Sequence, residues 1–158
     1  MGLSGHQVYL EFRGSIESNI RKILSTNFKY PRWIRQEGFI VEQDCVYLDN
    51  DGKDEGAWHI WAEDKLSNIV AYARILAPNV SYEEASLSRI VTHLDYRGKG
   101  LGQDLMTRSL DLMESLHGSG QCRISAQSYL LGFYKSFGFN STGDEYLEDG
   151  IPHVQMYR

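Results

Sequence analysis

The sequence predicts one mixed α/β domain whose sheet is largely antiparallel. Short apolar segments with a two-residue alternation recur along the chain and are separated by turn residues, a pattern typical of strands. One longer segment in the second half instead carries apolar residues at helical spacing. The chain has 158 residues and no internal repeat or Pro/Gly/Ser-rich linker, so we expect a single domain over residues 1–158.

The first quarter of the chain predicts one strand and two helices. Val8, Leu10 and Phe12 alternate with other residues and indicate the first strand. The mixed segment at 16–38 indicates two helices that are interrupted at Tyr30-Pro31, because proline disfavours a helical conformation in the residue before it.

The later elements are predicted with clearer signals. In order along the chain they are strands at 57–63 and 69–76 joined by a short hairpin connection, a strand at 87–93, a helix at 100–117, a strand at 122–126, a helix at 129–137, and strands at 139–141 and 151–157. The helix at 100–117 has the most regular pattern, and Gly118 ends it. We therefore expect a six- to seven-stranded sheet flanked by about four helices.

Composition and charge argue against several classes of function. The formal net charge of -5 disfavours nonspecific binding to nucleic acid, which depends on clustered Lys and Arg. No apolar run approaches the ~20 residues of a membrane-spanning helix, and the first residues form no secretory signal, so we expect a cytoplasmic protein without membrane contact. Cys45 and Cys122 are expected to be free thiols, one buried and one partly exposed. Edge strands near the C-terminus make a homodimer a further expectation.

A glycine-rich segment at 97–102 carries the strongest chemical signal. It directly follows the strand at 87–93 and opens the helix at 100–117, where unpaired backbone N–H groups and the helix dipole favour an anion. Alternating glycines let a diphosphate approach these amides closely, and two cationic side chains can add charge-assisted hydrogen bonds. The candidate residues are Arg97, Gly98, Lys99, Gly100, Leu101 and Gly102.

Two other phosphate-binding motifs do not fit this segment. The dinucleotide fingerprint requires Gly-x-Gly-x-x-Gly, whereas the glycines here alternate with single residues. The P-loop requires Ser or Thr after Gly-Lys and an earlier glycine, but Gly100 follows Gly98-Lys99 and His93 occupies the earlier position. A glycine turn that merely tightens a strand–helix corner is the remaining alternative.

Two motifs resemble the GNAT superfamily of N-acetyltransferases. Arg97-x-x-Gly100-x-Gly102 after a strand is similar to motif A of that superfamily, and the segment at 126–139 is similar to its motif B. Over roughly residues 33–158 the chain resembles the ElaA-like branch more narrowly. The motifs concerned are Phe39-Ile40-Val41-Glu42-Gln43-Asp44-Cys45, Asp49-x-Asp51-Gly52-x-Asp54, Ala71-Tyr72-Ala73-Arg74-Ile75-Leu76 and Glu148-Asp149-Gly150-Ile151-Pro152-His153. The chain departs from the branch pattern at Val46 and at Glu37-Gly38, which lie in the loop expected on the acceptor side.

The resemblance implies acetyl-coenzyme A as the acyl donor and no metal. It implies a β-bulge in the strand before the glycine loop, which splays two parallel strands into a V that holds pantetheine. Backbone groups of Ile90, Val91 and Thr92 are expected to pair with pantetheine, and the Thr92 amide is the candidate for stabilising the developing oxyanion. Gln127 falls where the motif usually places a polar contact to the cofactor.

Tyr134 is the candidate general acid within the motif B segment. Coenzyme A leaves as a thiolate, whose ordinary pKa is near ~8.5, and a nearby phenol can donate a proton to it. The alternative is a packed aromatic side chain beside Phe133 and Phe137.

A general base is also expected, because an alkylammonium with a pKa of about 10 cannot attack while protonated. Glu42, His59 and His153 lie in or near branch-like motifs and are the candidates, with Glu42 and His153 ranked together. Loss of the proton to solvent, with no dedicated base, remains an alternative.

The expected reaction is transfer of an acetyl group to the amine of a small or amino-acid-like acceptor by direct attack. Two alternatives stay open: a noncatalytic acyl-coenzyme A-binding module, and a peptide or protein acetyltransferase. The acidic turn Asp49-Asn50-Asp51-Gly52 is either a plain turn or a site for a cationic acceptor. It fits a calcium loop poorly, because Tyr47 and Trp58 fall where carboxylates belong.

Overall fold

The computed structural model describes residues 10–13, 19–23 and 32–158. Its strands are β1 (Leu10–Arg13), β2 (Asn19–Ile23), β3 (Trp58–Glu63), β4 (Ile69–Leu76), β5 (Ala85–Thr92), β6 (Cys122–Gln127), β7 (Asn140–Glu148) and β8 (Ile151–Tyr157). Its helices are α1 (Arg32–Arg35, continued by a π-helical turn at Gln36–Val41), α2 (Leu101–His117) and α3 (Leu131–Lys135). Short 3₁₀ turns at Leu94–Tyr96 and Ser128–Leu130 precede α2 and α3.

The strands form one sheet in the order β1-β2-β3-β4-β5-β6-β8-β7. Every neighbouring pair is antiparallel except β5 and β6, which are parallel and connected by α2. The predicted class, a mixed α/β domain with a largely antiparallel sheet, is confirmed. The predicted bounds of β4 and β8 agree with the structure, and β7 is longer than the segment at 139–141.

Within the described residues the sheet has eight strands instead of the six or seven expected, and three helices are found there, compared with the expected number of about four. The additional strand is β2, which lies within the segment at 16–38 that the sequence assigns to two helices. Backbone pairing to β1 on one side and β3 on the other holds this segment extended, so tertiary pairing overrides its weak local pattern. The predicted residue Val8 and the predicted break at Tyr30-Pro31 lie outside the described residues.

Helix α2 covers one face of the central strands. Leu101 and Leu105 belong to the apolar cluster formed by β3 and β4, whereas Met106 and Met113 pack in the larger cluster with β5 and β6. All four side chains are at most 5% exposed. Because α2 begins at the end of the glycine loop, this packing fixes the position of the loop relative to β5.

A bulge in β5 opens the sheet. The β4–β5 register steps two residues along β4, from Tyr72 to Arg74, but three along β5, from Val91 to Ser88, which leaves one extra residue in β5. Arg89 in this bulge has a φ of 55°, an uncommon value for a residue with a side chain. The parallel β5–β6 ladder contains only the pairs at Ala85 and Ser86, so the strands diverge beyond Ser86. The bulge and the V-shaped splay are therefore confirmed.

Candidate active site

A cavity of about 360 Å³ lies in the V between β5 and β6. Its walls come from the segment after α1, the strands β4 to β6 with the loop before β5, α3 with the residue before it, and the β7–β8 turn with the start of β8. Residues of β5 from Ser86 to Ile90 line one side, and Ile124, Ser125 and Gln127 of β6 line the other. Tyr134 and His153 also line this cavity, so the structure brings together two of the predicted catalytic residues.

The glycine loop has the geometry that its sequence predicts. Gly98 and Gly100 have φ values of 72° and 80°, which a residue with a side chain adopts only with strain. Helix α2 begins at Leu101 without a side-chain cap, and Asp104 is the residue whose N–H bonds back to Gly100. The amides of the first turn of a helix have no partner within the helix, so this loop presents several N–H donors. Such a loop fits a diphosphate.

The Thr92 amide points into the V. The His93 N–H donates to the Val70 carbonyl of β4 at 2.9 Å, whereas Thr92 stands opposite Ala71. Hydrogen-bonded pairs alternate along an antiparallel ladder, so the neighbouring Thr92 N–H faces away from β4. The role predicted for Thr92 requires this orientation, and the role itself stays a prediction.

Close packing behind β5 explains Gly38, one of the two departures from the branch pattern. A Cβ at position 38 would lie 2.4 Å from Cγ2 of Val91, so only glycine fits here. Val91 itself is 6% exposed and packs with Ile34, Trp61 and Tyr72. Its side chain therefore faces the core, and the same alternation turns its backbone N–H towards Tyr72 of β4, so Thr92 presents its N–H to the V instead.

Arg97 and Glu42, which the sequence assigns to different roles, form a bidentate ion pair. The two guanidinium nitrogens donate to the two carboxylate oxygens at 2.6 and 2.7 Å, and Arg97 Nε donates to the Thr92 carbonyl at 2.9 Å. The hydrogen bond from Arg97 to Glu42 raises the pKa of the arginine. Lys99 donates to the Asp95 carbonyl at 3.1 Å and lies over the Tyr96 ring. The Arg97 side chain is thus held by Glu42 at the edge of the anion site.

The segment at 42–45 makes two further contacts across the V. Gln43 and Gln127 exchange amide hydrogen bonds at 3.0 and 3.4 Å, and Cys45 Sγ donates to the Asp149 carbonyl at 3.4 Å. One short segment therefore touches the glycine loop, the end of β6 and the β7–β8 turn. Cys45 is partly exposed and Cys122 is buried, and both are free thiols as predicted.

Tyr134 is buried but borders the cavity. It is 6% exposed and packs edge-to-face against Phe133 and Phe139, at centroid distances of 5.2 and 6.2 Å. Its hydroxyl makes no hydrogen bond to another described residue. Burial raises the pKa of this phenol above its ordinary value of 10.0, so the group stays protonated at neutral pH and can act as a proton donor.

His153 has the geometry of a proton acceptor. Its Nδ1 lies 2.7 Å from the Ile151 carbonyl, which can only accept, so Nδ1 carries the proton. The neutral ring then has a lone pair on Nε2, for which the described residues provide no partner. The ring stacks on Tyr146 and is 8% exposed at the cavity wall.

His59, the third candidate base, is engaged in the interior instead. Its Nδ1 lies 2.6 Å from the Tyr72 hydroxyl and its Nε2 lies 3.1 Å from the Asp54 carbonyl. Burial lowers the pKa of this histidine, which is 2% exposed and does not line the cavity. His59 is therefore a structural residue, and its candidacy as a base is wrong.

A buried group of ion pairs lies beside the cavity and is called here the arginine–aspartate cluster. Its members are Arg35, Arg74, Arg89, Asp49, Asp51 and Asp54. Arg74 donates two hydrogen bonds of 2.8 and 2.7 Å to the Asp51 carboxylate, and Arg89 Nε lies 2.8 Å from Asp49. Three positive and three negative charges cancel within the cluster.

The arginine–aspartate cluster shows that the acidic turn has a structural role. The sequence analysis did not predict this cluster. The carboxylates of Asp49 and Asp51 bind arginines of the same chain, so they are not free for a cationic acceptor. Asp51 also accepts from the Lys53 N–H at 3.1 Å, as expected for a plain turn. The signal that could have found the cluster is Arg74 in the otherwise apolar strand β4, because a buried arginine requires a partner.

Two further observations concern the described part of the chain. No group of three or more His, Cys, Asp or Glu side chains there could hold a metal ion. No helix among residues 32–158 is both long enough and apolar enough to cross a membrane.

Comparison with known sequences identifies the family. A model of the acetyltransferase (GNAT) domain matches residues 38–158. ElaA of Escherichia coli is 40% identical over 124 residues, which cover 76% of this chain and 79% of that protein. A UPF0039 protein of Synechocystis is 40% identical over 123 residues, which cover 78% of this chain and 80% of that protein.

Known structures agree with this result. An acyl-CoA N-acyltransferase from Pseudomonas aeruginosa has a TM-score of 0.75 at 37% identity, over 79% of this chain and 85% of that one. The crystal structure of Escherichia coli ElaA has a TM-score of 0.73 at 36% identity, over 78% of this chain and 84% of that one. The chain therefore belongs to the GNAT acetyltransferase family, whose members transfer acyl groups from acyl-coenzyme A, and within that family to the ElaA-like branch.

Proposed function

We propose that this protein transfers the acetyl group of acetyl-coenzyme A to the amine of a small acceptor, by direct attack of the amine on the thioester. The observation that carries the proposal is the open V between β5 and β6 beside the uncapped start of α2. The V offers unpaired backbone groups, and the glycine loop offers amide donors for a diphosphate. The V also contains the cavity whose wall holds Tyr134 and His153.

The proposed donor site uses backbone groups more than side chains. When bound, acetyl-coenzyme A supplies the activated acetyl group. The residues proposed to hold it are Ile90, Val91, Thr92, Arg97, Gly98, Lys99, Gly100, Leu101, Gly102, Gln127 and Tyr134. In this proposal the Thr92 N–H, which faces away from β4, stabilises the negative charge that develops on the thioester carbonyl oxygen.

Two side chains accept or donate a proton in the proposed reaction. His153 Nε2 accepts a proton from the acceptor ammonium, directly or through a water, which leaves the amine able to attack. The Tyr134 hydroxyl donates a proton to the departing thiolate. We rank His153 above Glu42 as the base because Arg97 occupies both oxygens of the Glu42 carboxylate. Glu42 remains the alternative base.

Calorimetry and a thiol-release assay test the proposal together. We expect purified protein to bind acetyl-coenzyme A and to release free thiol when small amines or amino acids are added. Binding without turnover on any acceptor would indicate the noncatalytic module, and turnover only on peptides would indicate a peptide acetyltransferase. If millimolar acetyl-coenzyme A produces no heat, the proposed function is wrong.

Replacing Glu42 with Gln distinguishes its two possible roles. If Glu42 only restrains Arg97, the variant frees the guanidinium for the diphosphate, and the Kd of acetyl-coenzyme A falls by up to about fivefold. This limit follows because exposed ion pairs contribute ~0.2–1 kcal/mol. If Glu42 is instead the required base, kcat falls by about 10²-fold or more. Calorimetry measures Kd and thiol release measures kcat.

Two controls accompany this variant. Glu145→Gln changes an exposed carboxylate on β7 and should alter neither quantity. Arg97→Gln should weaken acetyl-coenzyme A binding, because it removes the cation itself. Restraint by Glu42 is ruled out if Glu42→Gln leaves Kd unchanged or weakens binding.

Replacing His153 with Gln tests the proposed base through its pH dependence. We expect kcat/KM near pH 7 to fall by about 10²-fold, because the acceptor then reaches its neutral form only through solvent. The deficit should shrink at higher pH, where more of the amine is already unprotonated. A pH profile from 6 to 10 for both proteins measures this. An equal deficit at every pH would mean that His153 positions other groups rather than accepting a proton.

A further inference from the structure

The cavity wall contains charged side chains of two kinds. Arg74, Arg89 and Asp51 belong to the neutral arginine–aspartate cluster. Lys53, Glu148 and Asp149 also line the cavity, and no ion pair to any of these three is found within the described ranges. These three charges are therefore the ones available to an acceptor.

The available charges lie at opposite ends of the cavity. Lys53 Nζ donates to Ser81 Oγ at 2.9 Å, and Ser81 precedes the start of β5, where β5 and β6 still pair. Glu148 is the last residue of β7, and it stands opposite Ile151 at the start of β8. Because β8 runs antiparallel to β6, this turn lies at the end of β6 where the V is open. The cavity is thus basic at its closed end and acidic at its open end.

A buried hydroxyl at the closed end lacks a partner. Ser86 is 2% exposed, lines the cavity, and its Oγ makes no hydrogen bond within the described part of the chain. Buried polar groups are normally paired, so an unpaired one on a cavity wall points to a ligand. Ser81 Oγ accepts from Lys53, which leaves its own proton free to donate. The closed end therefore offers an ammonium and two hydroxyl donors, a set suited to a carboxylate.

The acidic end suits the other half of such a molecule. Glu148 Oε2 accepts from Ser125 Oγ at 2.7 Å, so the carboxylate is held against β6 while it keeps its charge. His153 stands opposite Gln127 at the same end of β6, and Tyr134 lines the same cavity. An acceptor ammonium near Glu148 would lie beside the groups proposed to move its protons.

We propose that the acceptor carries a carboxylate and an amine several bonds apart, such as a free amino acid that reacts through an amine at the end of its side chain, and that Lys53 selects it by binding its carboxylate. This inference rests on the proposed function and specifies its acceptor. The carboxylate occupies the closed end at Lys53 and Ser86, and the amine occupies the open end at Glu148. Peptide-borne lysines and simple diamines lack a carboxylate at the required position.

Matched acceptors test the proposal on the full-length protein with saturating acetyl-coenzyme A. Each amino acid is compared with its carboxamide and with the amine that remains after removal of the carboxyl group. We expect kcat/KM to be at least about tenfold higher for the free amino acid, because a hydrogen bond to a charged group is lost in the other two.

Substitution of Lys53 tests whether this residue causes the preference for acceptors that carry a carboxylate. Lys53→Met should lower kcat/KM for the free amino acid by about 10- to 100-fold, mainly through KM, and change the carboxamide little. Lys53→Arg should retain most of the preference, and Lys53→Glu should reverse it in favour of the diamine. Lys135→Met, which removes an exposed lysine at the end of α3, is the matched control and should behave like the natural chain.

The outcomes separate this inference from the proposed function. Equal rates on all three acceptors, or a preference for diamines in the natural chain, would overturn the role of Lys53 while the acetyltransferase assignment stands. An unchanged preference in Lys53→Met would overturn it as well. The absence of both acetyl-coenzyme A binding and thiol release would instead overturn the proposed function itself.

Discussion

Replacing Tyr134 with Phe should lower kcat by about 10²- to 10⁴-fold, the usual contribution of a general acid. The Kd of acetyl-coenzyme A should change by less than about twofold, because the phenyl ring keeps its contacts with Phe133 and Phe139. The fold should also be retained, since the lost hydroxyl has no hydrogen-bond partner among the described residues. Thiol release and calorimetry measure the two quantities.

The interior around Tyr134 makes the proton transfer feasible. A phenol with a raised pKa would be a poor acid towards a thiolate in water, whose pKa is near ~8.5. A thiolate that leaves into the same interior is also desolvated, however, and its proton affinity rises too. Cys122 illustrates the size of this effect, because burial raises the pKa of its thiol to about 12. The pKa values of the Tyr134 phenol and of the departing thiol are therefore closer to each other inside the cavity than a comparison with a thiol in water suggests.

Tyr157→Phe is the matched control, because it removes a hydroxyl from β8 outside the cavity. It should leave kcat unchanged. If Tyr134→Phe also leaves kcat unchanged, Tyr134 is a packing residue and the thiolate takes its proton elsewhere. If the variant loses acetyl-coenzyme A binding together with activity, the hydroxyl holds the donor rather than protonating it.

Local patterns predicted the parts of the molecule that local forces determine. Strand β4 and the glycine loop were predicted from a few consecutive residues, because a short apolar run and the conformational freedom of glycine act over that range. A bulge in the strand before the glycine loop was predicted only through the family resemblance, which did not indicate Arg89. The Arg89 side chain donates to Asp49, 40 residues away, at 2.8 Å, and no local pattern indicates this contact.

Long-range pairing explains what the sequence did not predict. Strand β2 is extended because β1 and β3 flank it, and nothing within residues 19–23 signals this strongly. The ion pair between Glu42 and Arg97 joins residues 55 positions apart, so no spacing rule indicates it. Their motifs made both residues candidates for the site, but only the fold shows that they bind each other.

Replacing Asp54 with Asn should destabilise the protein by about 3 kcal/mol, the lower part of the range for breaking a buried ion pair. One oxygen, Asp54 Oδ1, accepts from Arg35 at 2.8 Å and from Arg74 at 2.7 Å, and the residue is 3% exposed. The asparagine would remove one negative charge that both guanidinium groups share, although each of them retains one other aspartate as a partner. The melting temperature should fall by about 6–12 °C.

The same variant predicts a pH dependence with a defined sign. Burial alone would raise the pKa of Asp54, but the hydrogen bonds from Arg35 and Arg74 outweigh it and hold the pKa below the ordinary value of 3.8. A carboxylate whose pKa is lower in the folded state stabilises the fold above its unfolded pKa, and this contribution is lost as the pH falls through the folded value. The difference in the free energy of unfolding between the natural chain and Asp54→Asn should have its full size at pH 7 and should begin to decrease only below about pH 4.

Urea unfolding at pH 7, 5 and 3.5 measures this difference in the free energy of unfolding. Asp144→Asn, an exposed change on β7, is the control and should cost less than about 0.5 kcal/mol at each pH. A cost that stays constant between pH 7 and 3.5 would indicate lost packing rather than a lost charge.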